Sequence, residues 1–177
     1  MFTSADPHPP RRAIFDLVTR ALIAGGCGGI VGAGVKLLGE VIFPARGPDE
    51  PIPPAVMVSR LLEYFSGHPL LPEKVTLAVQ SLHWSFSIAV CAFYGAIAEI
   101  FPKAKMGCGL AFGMVLLLLT HETTLPWFGF SQPWSEIPLK GHLSEIFTHA
   151  LFGISAELVR RVVRPMLDRL PGMTLAA

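Results

Sequence analysis

The stretch Gly141–Arg161 reads GHLSEIFTHALFGISAELVRR and has the length and apolar content of a membrane-spanning helix, although it contains several ionisable residues. His142, Glu145 and His149 are spaced so that an α-helix places all three on one face. Ionisable side chains inside a bilayer almost always face the interior of a helix bundle or a water-filled cavity. The other helices of the chain are therefore expected to enclose this face.

The composition predicts an all-α integral membrane protein. Of the 177 residues, 51% are hydrophobic and 15% are charged, whereas soluble domains carry about 25% charged residues. The apolar residues occur in long blocks, which predicts a four-helix membrane bundle that forms a single domain over residues 1–177. A formal net charge of +1 argues against nucleic-acid binding. No nucleophile and base occur in a pattern typical of an enzyme, so a non-enzymatic role is predicted.

The apolar blocks and their flanking residues predict where the chain crosses the membrane. Spans are expected at about 14–42, 80–101, 106–124 and 142–163, joined by outer loops at about 43–79 and 125–141. Within the first loop, Pro53 or Pro54 is expected to begin a short amphipathic helix that continues through Phe65 and lies on the membrane surface. Pro72 and Glu73 are expected to begin the helix that continues into the second span.

Basic residues predict the orientation of these spans, because cytoplasmic loops carry an excess of Lys and Arg. With four spans, all the basic clusters fall on one side of the membrane, so both termini are predicted to be cytoplasmic and the two long loops to face outward. The clusters are Arg11, Arg12 and Arg20, then Lys103 and Lys105, and finally Arg160, Arg161, Arg164 and Arg169.

One face of the first span combines small and charged residues. Gly25, Gly29 and Gly32 share this face with Lys36 and Glu40. Small residues four apart let helix backbones approach closely in lipid, so the face is expected to pack against other helices or to mediate a homo-oligomer. Lys36 and Glu40 are expected to form an ion pair.

The predicted orientation divides the unusual polar residues into two groups. Glu157 with Arg160 or Arg161, and Glu99 beside Lys103, are expected to form structural ion pairs at the cytoplasmic end. The outer half is expected to hold the residues that respond to protons or bind a ligand: Lys36, Glu40, His83, His121, Glu145 and His149.

Several motifs resemble the YagU family of bacterial inner-membrane proteins. They are Lys36-x3-Glu40-x3-Pro44-x-Arg46, His83-x-x-Phe86-Ser87, Ala98-Glu99-x-Phe101-Pro102-Lys103, His121, Ser144-Glu145-Ile146-Phe147-x-His149 and Glu157-x-x-Arg160-Arg161. The resemblance implies a multi-pass protein of the bacterial inner (plasma) membrane, of undefined biochemical activity and linked to survival in acid. It supports the same outer residues together with Glu99 and Glu157, whereas Glu122 and His142 are not part of the pattern.

Four functions remain open from the sequence. The leading hypothesis is a proton-responsive protein that contributes to acid tolerance, since histidine has an ordinary pKa of about 6.5. A second is divalent-metal binding or transport by His83, His121, Glu145 and His149. A third is non-covalent haem held by two of the histidines. A fourth is a structural scaffold whose polar residues specify helix pairing in the lipid bilayer. The cofactor is not determined by the sequence.

Overall fold

The computed structural model describes residues 11–47, 50–69 and 71–170. In these residues the chain is all-α and contains no strand, as the composition predicted. The prediction of one domain over residues 1–177 also includes the terminal segments 1–10 and 171–177, which lie outside the described residues. Five helices have ten or more residues: α1 (Arg11–Ile42), α2 (Pro53–Ser66), α3 (Pro72–Ile100), α4 (Leu110–Leu119) and α6 (Leu139–Asp168), with α5 (Leu125–Trp127) forming a single turn.

Helix α1 lies at the centre of the bundle and packs against both α3 and α6. Gly25 and Gly29 lie directly on the backbone of α3 at Cys91 and Ser87, and Gly28 lies on the backbone of α6 at Ala156. A Cβ atom at any of these glycines would overlap a carbonyl oxygen of the neighbouring helix. The glycine face therefore sets the short distance between helices, which is how small residues drive packing in lipid.

The predicted use of this face for a homo-oligomer stays a prediction, whereas its predicted packing against other helices of the same chain is observed. Gly25 and Gly29 are covered by α3. At Gly32, an added Cβ atom would lie 3.1 Å from the Phe152 ring of α6. Within one chain, two helices therefore already cover this face. The sequence pattern identified a packing face, but it did not reveal which helices occupy it.

The turn between α3 and α4 differs from the prediction that the third span begins near residue 106. Pro102–Gly109 forms a 3₁₀ segment in which Gly107, Cys108 and Gly109 all have positive φ, so the α-helix begins only at Leu110. Gly109 has a physical reason for its position, because a Cβ there would overlap the Gly153 carbonyl of α6. Glycine tolerates both the left-handed backbone and the close approach.

Among the described residues, three segments are long and apolar enough to cross a membrane, namely Ala13–Ile42, Pro72–Ile100 and Pro102–Trp127. Helix α2 has the predicted start at Pro53 and ends at Ser66, one residue beyond the predicted end. Helix α3 begins at Pro72, as predicted. Helix α6 is long enough to cross but carries more charged residues than any one of these three segments. Most of the charged residues on its central turns are buried against other helices.

Candidate functional site

Glu145 is the centre of a buried polar cluster formed by α1, the loop after α1, the end of α4 and α6. The residue is only 7% exposed. Its Oε1 atom lies 3.4 Å from Nδ1 of His121 and 3.4 Å from Nη1 of Arg46. Its Oε2 atom lies 3.5 Å from Nδ1 of His149 and 3.9 Å from Nζ of Lys36. We call these five residues the Glu145 cluster.

Helix α6 supplies Glu145 and His149 one turn apart, and its backbone fixes the imidazole. Nδ1 of His149 lies 2.9 Å from the Glu145 carbonyl oxygen. A carbonyl only accepts hydrogen bonds, so this nitrogen carries the proton, and Nε2 of the neutral ring is left with a free lone pair. The cluster therefore contains one imidazole whose tautomer is set by the fold rather than by solvent.

His121 is placed by a π-helical turn, Thr120–Thr124, at the end of α4. A π turn inserts an extra residue and breaks the ordinary α-helical hydrogen-bond register. Three threonine hydroxyls around the turn donate to backbone carbonyls: Thr120 to Leu116 at 2.7 Å, Thr123 to Leu118 at 2.7 Å and Thr124 to Leu119 at 2.5 Å. The run THETT thus supplies donors that stabilise the turn, and the turn directs His121 to Glu145. The His121 and His149 rings pack edge to face, with their centroids 5.0 Å apart.

Lys36 and Arg46 reach Glu145 from the end of α1 and the loop that follows it. Lys36 also pairs with Glu40, as the sequence predicted. The loop is held on α6 because the Ser144 hydroxyl donates to the Phe43 carbonyl. Sequence analysis did not include Arg46 among the candidate site residues, although it is the only basic residue between Lys36 and Arg60 and follows the first span directly.

His83 is not brought into contact with Glu145, which corrects its placement in a converging metal set. Its Nε2 atom lies 3.5 Å from the Ala33 carbonyl oxygen on α1. Within the described part of the chain, the donor atoms that converge within 4.8 Å belong to His121, Glu145 and His149. His83 instead lines a cavity that also reaches Lys36 and Glu40.

Two cavities meet at the Glu145 cluster. The loop cavity, of about 570 Å³, lies between the segments 45–56 and 121–145 and is lined by Arg46, Glu50, Glu122, Glu136, His142 and Glu145, among others. The interior cavity, of about 510 Å³, lies between α3 and α4 beneath α2 and has a mainly apolar lining. Arg46, His121 and Glu145 line both cavities. Both volumes fall in the range of small-molecule sites, about 300–1,000 Å³.

His142 and Glu122 also contact each other, although the sequence pattern gave them little weight. Nδ1 of His142 lies 3.4 Å from Oε1 of Glu122, and Nε2 of the same ring lies 2.9 Å from the Trp134 carbonyl oxygen. This pair lies at the wall of the loop cavity, separate from the Glu145 cluster. It connects α6 to the segment that follows α4.

A family profile described as "Protein of unknown function (DUF1440)" matches residues 30–158. The chain belongs to the DUF1440 family. The matched residues contain all members of the Glu145 cluster and Glu157. The DUF1440 chain is also similar to the inner membrane protein YagU of Escherichia coli (strain K12), with 29% identity over 196 aligned residues that cover 92% of each chain. No solved structure matches the chain.

The similarity to an inner-membrane protein agrees with the three candidate spans, and it locates this DUF1440 protein in the inner membrane. The resemblance noted from the sequence motifs is thereby confirmed. The family description and the relative's name state no activity. The chemical role of the Glu145 cluster therefore has to be argued from its geometry.

The opposite end of the DUF1440 bundle holds a second polar network, centred on Glu157. This fully buried carboxylate accepts hydrogen bonds from Tyr94 at 2.8 Å, from Nε of Arg160 at 2.7 Å and from Nε of Arg161 at 2.7 Å. The predicted pairing of Glu157 with both arginines is present. Each carboxylate oxygen has at least one charged donor, so this network is a structural clamp between α3 and α6.

The predicted pairing of Glu99 with Lys103 is wrong. Glu99 lies 3.1 Å from Nε of Arg164 and 3.5 Å from Nη1 of Arg160. The chain turns into a 3₁₀ segment immediately after α3, so Lys103 does not lie one helical turn beyond Glu99. The arginines of α6 take its place.

The clamp continues to the end of α6, where Arg164 pairs with Asp168. A hydrogen bond from Arg164 holds the pKa of the Asp168 carboxyl below its usual value. The lowered pKa means that Asp168 stays ionised at neutral pH and that this pairing is lost only as pH falls through the lowered value. Asp168 also lies 3.5 Å from Nη1 of Arg20, which ties the start of α1 to the end of α6.

Proposed function

We propose that this protein is a non-enzymatic, proton-responsive inner-membrane protein that contributes to acid tolerance. The observation that carries the proposal is the buried Glu145 carboxylate, which is contacted by two imidazoles from different helices and by the basic side chains of Lys36 and Arg46. Histidine is the side chain suited to such a switch, because its charge changes between neutral and acidic pH. The resemblance to the YagU family supports the link to acid.

The proposed membrane arrangement is a four-span bundle in which α6 is the fourth span. Its charged residues Glu145, Glu157 and Arg160 are buried against the other helices, whereas Leu143, Ile146 and Leu158 are exposed. A helix with its polar face inward and its apolar face outward can cross lipid despite its charges. Helix α2 then lies at the outer surface, where its exposed Tyr64 and Phe65 suit the interface. Both termini are cytoplasmic.

Protonation would change the charge balance of the cluster. With neutral imidazoles, Lys36 and Arg46 offset Glu40 and Glu145. A proton on His121 or His149 would add a third positive charge to this buried group. A proton on Glu145 would remove the partner of Arg46 and leave this half-buried cation uncompensated, which is unfavourable. A proton on either histidine would draw that ring toward Glu145 and repel Lys36 and Arg46, whereas a proton on Glu145 would weaken its contacts with both cations. Either event changes the contacts among α1, α4 and α6.

The members of the Glu145 cluster and the titratable and charged groups that line the two cavities around it take part in the same response. They come from every element packed around it: Lys36 and Glu40 on α1, Arg46 in the following loop, His83 on α3, His121 and Glu122 in the π turn, and His142, Glu145 and His149 on α6. The proposal therefore concerns the charge of the group, with Glu145 at its centre.

Divalent-metal binding is the competing function, because donor atoms of His121, Glu145 and His149 lie within 4.8 Å of one another. The surrounding charges oppose it. Lys36 and Arg46 lie 3.9 and 3.4 Å from the same carboxylate, and a divalent cation would have to bind beside both. Haem between the two histidines is not supported, since the direct contact of their rings leaves no space for a porphyrin. The proton response is the function that the geometry favours.

The test is survival of cells at low pH with Glu145→Gln and His149→Ala variants at normal expression. Both variants are expected to lose acid survival and to grow normally at neutral pH. His68→Gln, at an exposed histidine far along the chain from the cluster, is the matched control and is expected to behave as the wild type. Wild-type survival of both cluster variants, at equal protein levels in the membrane, would refute the proposal.

Metal analysis of the purified chain separates the competing function. We expect no stoichiometric divalent ion in protein purified without chelators. A bound ion that disappears with His149→Ala would instead favour metal binding over the proton response.

A further inference from the structure

The apolar walls of the interior cavity have no role in the proposed proton response. Its volume is about 510 Å³, and its walls include Leu82 and Phe86 on α3, Leu116 on α4 and Met57 on α2. It extends from these apolar walls to Lys36 and Glu145 at its polar end. A site with a long apolar wall and a charged end fits an amphiphile rather than a polar solute.

The cavity lies next to surfaces that face lipid. Helices α3 and α4 stand on either side of it, and Tyr94 and Phe112 close the space between them on the side of the Glu157 network by stacking at 4.1 Å. Beside the cavity, Phe86 on α3 and Leu119 on α4 are exposed. In a membrane, the nearest molecules to this gap are phospholipids.

The charged end of the cavity contains an unsatisfied acceptor. Glu145 is 7% exposed, and its Oε2 atom is buried without a hydrogen-bond partner. Buried polar atoms in folded proteins are nearly always paired, so each exception calls for an explanation. Among the described residues this carboxylate is therefore incompletely hydrogen-bonded, and a cationic group of a ligand placed near it would offset its charge.

The fixed charges around that acceptor define the headgroup. Lys36 and Arg46 are positive, Glu40 and Glu145 are negative, and all four line the cavity. A simple cation would be repelled by the first pair and a simple anion by the second. A zwitterionic headgroup matches both, because its phosphate complements the Lys36 and Arg46 side chains and its ammonium complements the carboxylates.

We propose that the interior cavity binds one phospholipid whose headgroup carries a phosphate and a primary ammonium, with an acyl chain along Leu82, Phe86 and Leu116. The phosphate pairs with Lys36 and Arg46, and the ammonium pairs with the carboxylates of Glu40 and Glu145, which line the same cavity. The lipid enters sideways between α3 and α4, beneath α2. This site does not depend on the proton response, because lipid binding requires no change in the protonation of its residues.

The test measures lipid retained by the purified full-length chain at neutral pH. The protein is incorporated into nanodiscs with equal parts of phosphatidylethanolamine, phosphatidylcholine and phosphatidylglycerol, extracted in mild detergent, and analysed for bound lipid by mass spectrometry. Phosphatidylethanolamine is expected to be retained about tenfold over phosphatidylcholine, the magnitude of a hydrogen bond to a charged group. Choline has no N–H group to donate to Glu145.

Two variants identify the site. Leu82→Trp places a larger side chain inside the cavity and is expected to abolish lipid retention. Leu77→Trp, at an exposed position on the same helix, is the control and is expected to retain lipid as the wild type does. Glu145→Gln removes one negative charge and is expected to shift preference toward phosphatidylglycerol, because the remaining charges are then net positive.

Three results would overturn the proposal: equal retention of phosphatidylethanolamine and phosphatidylcholine, no retained lipid in the wild type, or the same retention by both tryptophan variants. Unchanged preference in Glu145→Gln would remove the headgroup assignment. None of these measurements involves low pH or survival, so their failure is distinguishable from failure of the proton response.

Discussion

At the scale of single residues, Glu157 is a fully buried carboxylate whose charge must be compensated by its neighbours. The carboxylate is fully buried and accepts hydrogen bonds from Tyr94, Arg160 and Arg161, and Arg160 is itself 5% exposed. Removing one partner of a buried ion pair leaves an uncompensated charge. The stability of the bundle should therefore depend more on this carboxylate than on any single apolar side chain beside it.

Glu157→Gln is predicted to reduce the free energy of unfolding by about 3–5 kcal/mol, because it keeps the shape of the side chain but removes the main counter-charge of Arg160 and leaves only Glu99, at 3.5 Å. Tyr94→Phe removes one hydrogen bond and is predicted to cost about 1–3 kcal/mol. Both are measured by unfolding of the purified chain in detergent. Glu63→Gln on the exposed surface of α2 is the control and should change little. Equal stability of Glu157→Gln and Glu63→Gln would contradict the clamp.

Residue-level prediction from sequence succeeded for pairs within one continuous helix. It failed for Glu99 with Lys103, where the helix ends between the two residues, and for partners that are distant in the chain. Lys36 with Glu40 and Glu157 with Arg160 were found because helical spacing alone brings them together. The pairing of Arg46 with Glu145 joins residues 99 positions apart. Helical spacing says nothing about such pairs, because they depend on how a loop folds over a distant helix.

At the scale of elements, adjacent glycines on α1 have opposite roles. A Cβ at Gly25 would overlap the Cys91 carbonyl and lie 3.0 Å from Cα of Ala92, so α1 and α3 would have to separate. A Cβ at Gly26 would lie 3.6 Å from Cγ2 of Ile88, which is ordinary contact. The two positions therefore form a matched pair for testing the helix interface.

Gly25→Ala is predicted to destabilise the protein by about 1–3 kcal/mol, the usual cost of inserting atoms into a packed interface. Gly26→Ala is predicted to be neutral or to stabilise by up to about 1 kcal/mol, because alanine is the better helix former. Thermal unfolding of the full chain in detergent measures both. If the two substitutions lowered stability equally, the close approach of α1 and α3 would be disproved.

The helices themselves were predictable, but their irregular ends were not. Apolar blocks and the prolines at residues 53 and 72 indicated α1, α2 and α3 with small errors. The π turn Thr120–Thr124 gave no proline or glycine signal, and its only indication was the run of threonines. That turn decides the direction of His121, so the convergence of the site could not be deduced from helical spacing.

At the scale of the whole molecule, the direction of charges matters more than their number. Helix α6 contains more charged residues than the three candidate spans, yet the polar residues Glu145, His149, Glu157 and Arg160 are buried within the bundle. Composition counts charges without direction, whereas lipid responds only to the face presented to it. The packing of α6 against α1 and α4 makes a fourth crossing physically reasonable.

Cysteine labelling decides whether α6 crosses. In a background with Cys27, Cys91 and Cys108 replaced by alanine, single cysteines are placed at the exposed positions Lys103, Ser135 and Arg169. A membrane-impermeant thiol reagent applied to spheroplasts is predicted to label Ser135→Cys at once, and to label Lys103→Cys and Arg169→Cys only after permeabilisation. If α6 lay along the outer surface instead, Arg169→Cys would label together with Ser135→Cys. Because only the fate of residue 169 differs between the two arrangements, that single site determines whether the Glu145 cluster lies inside a four-span bundle.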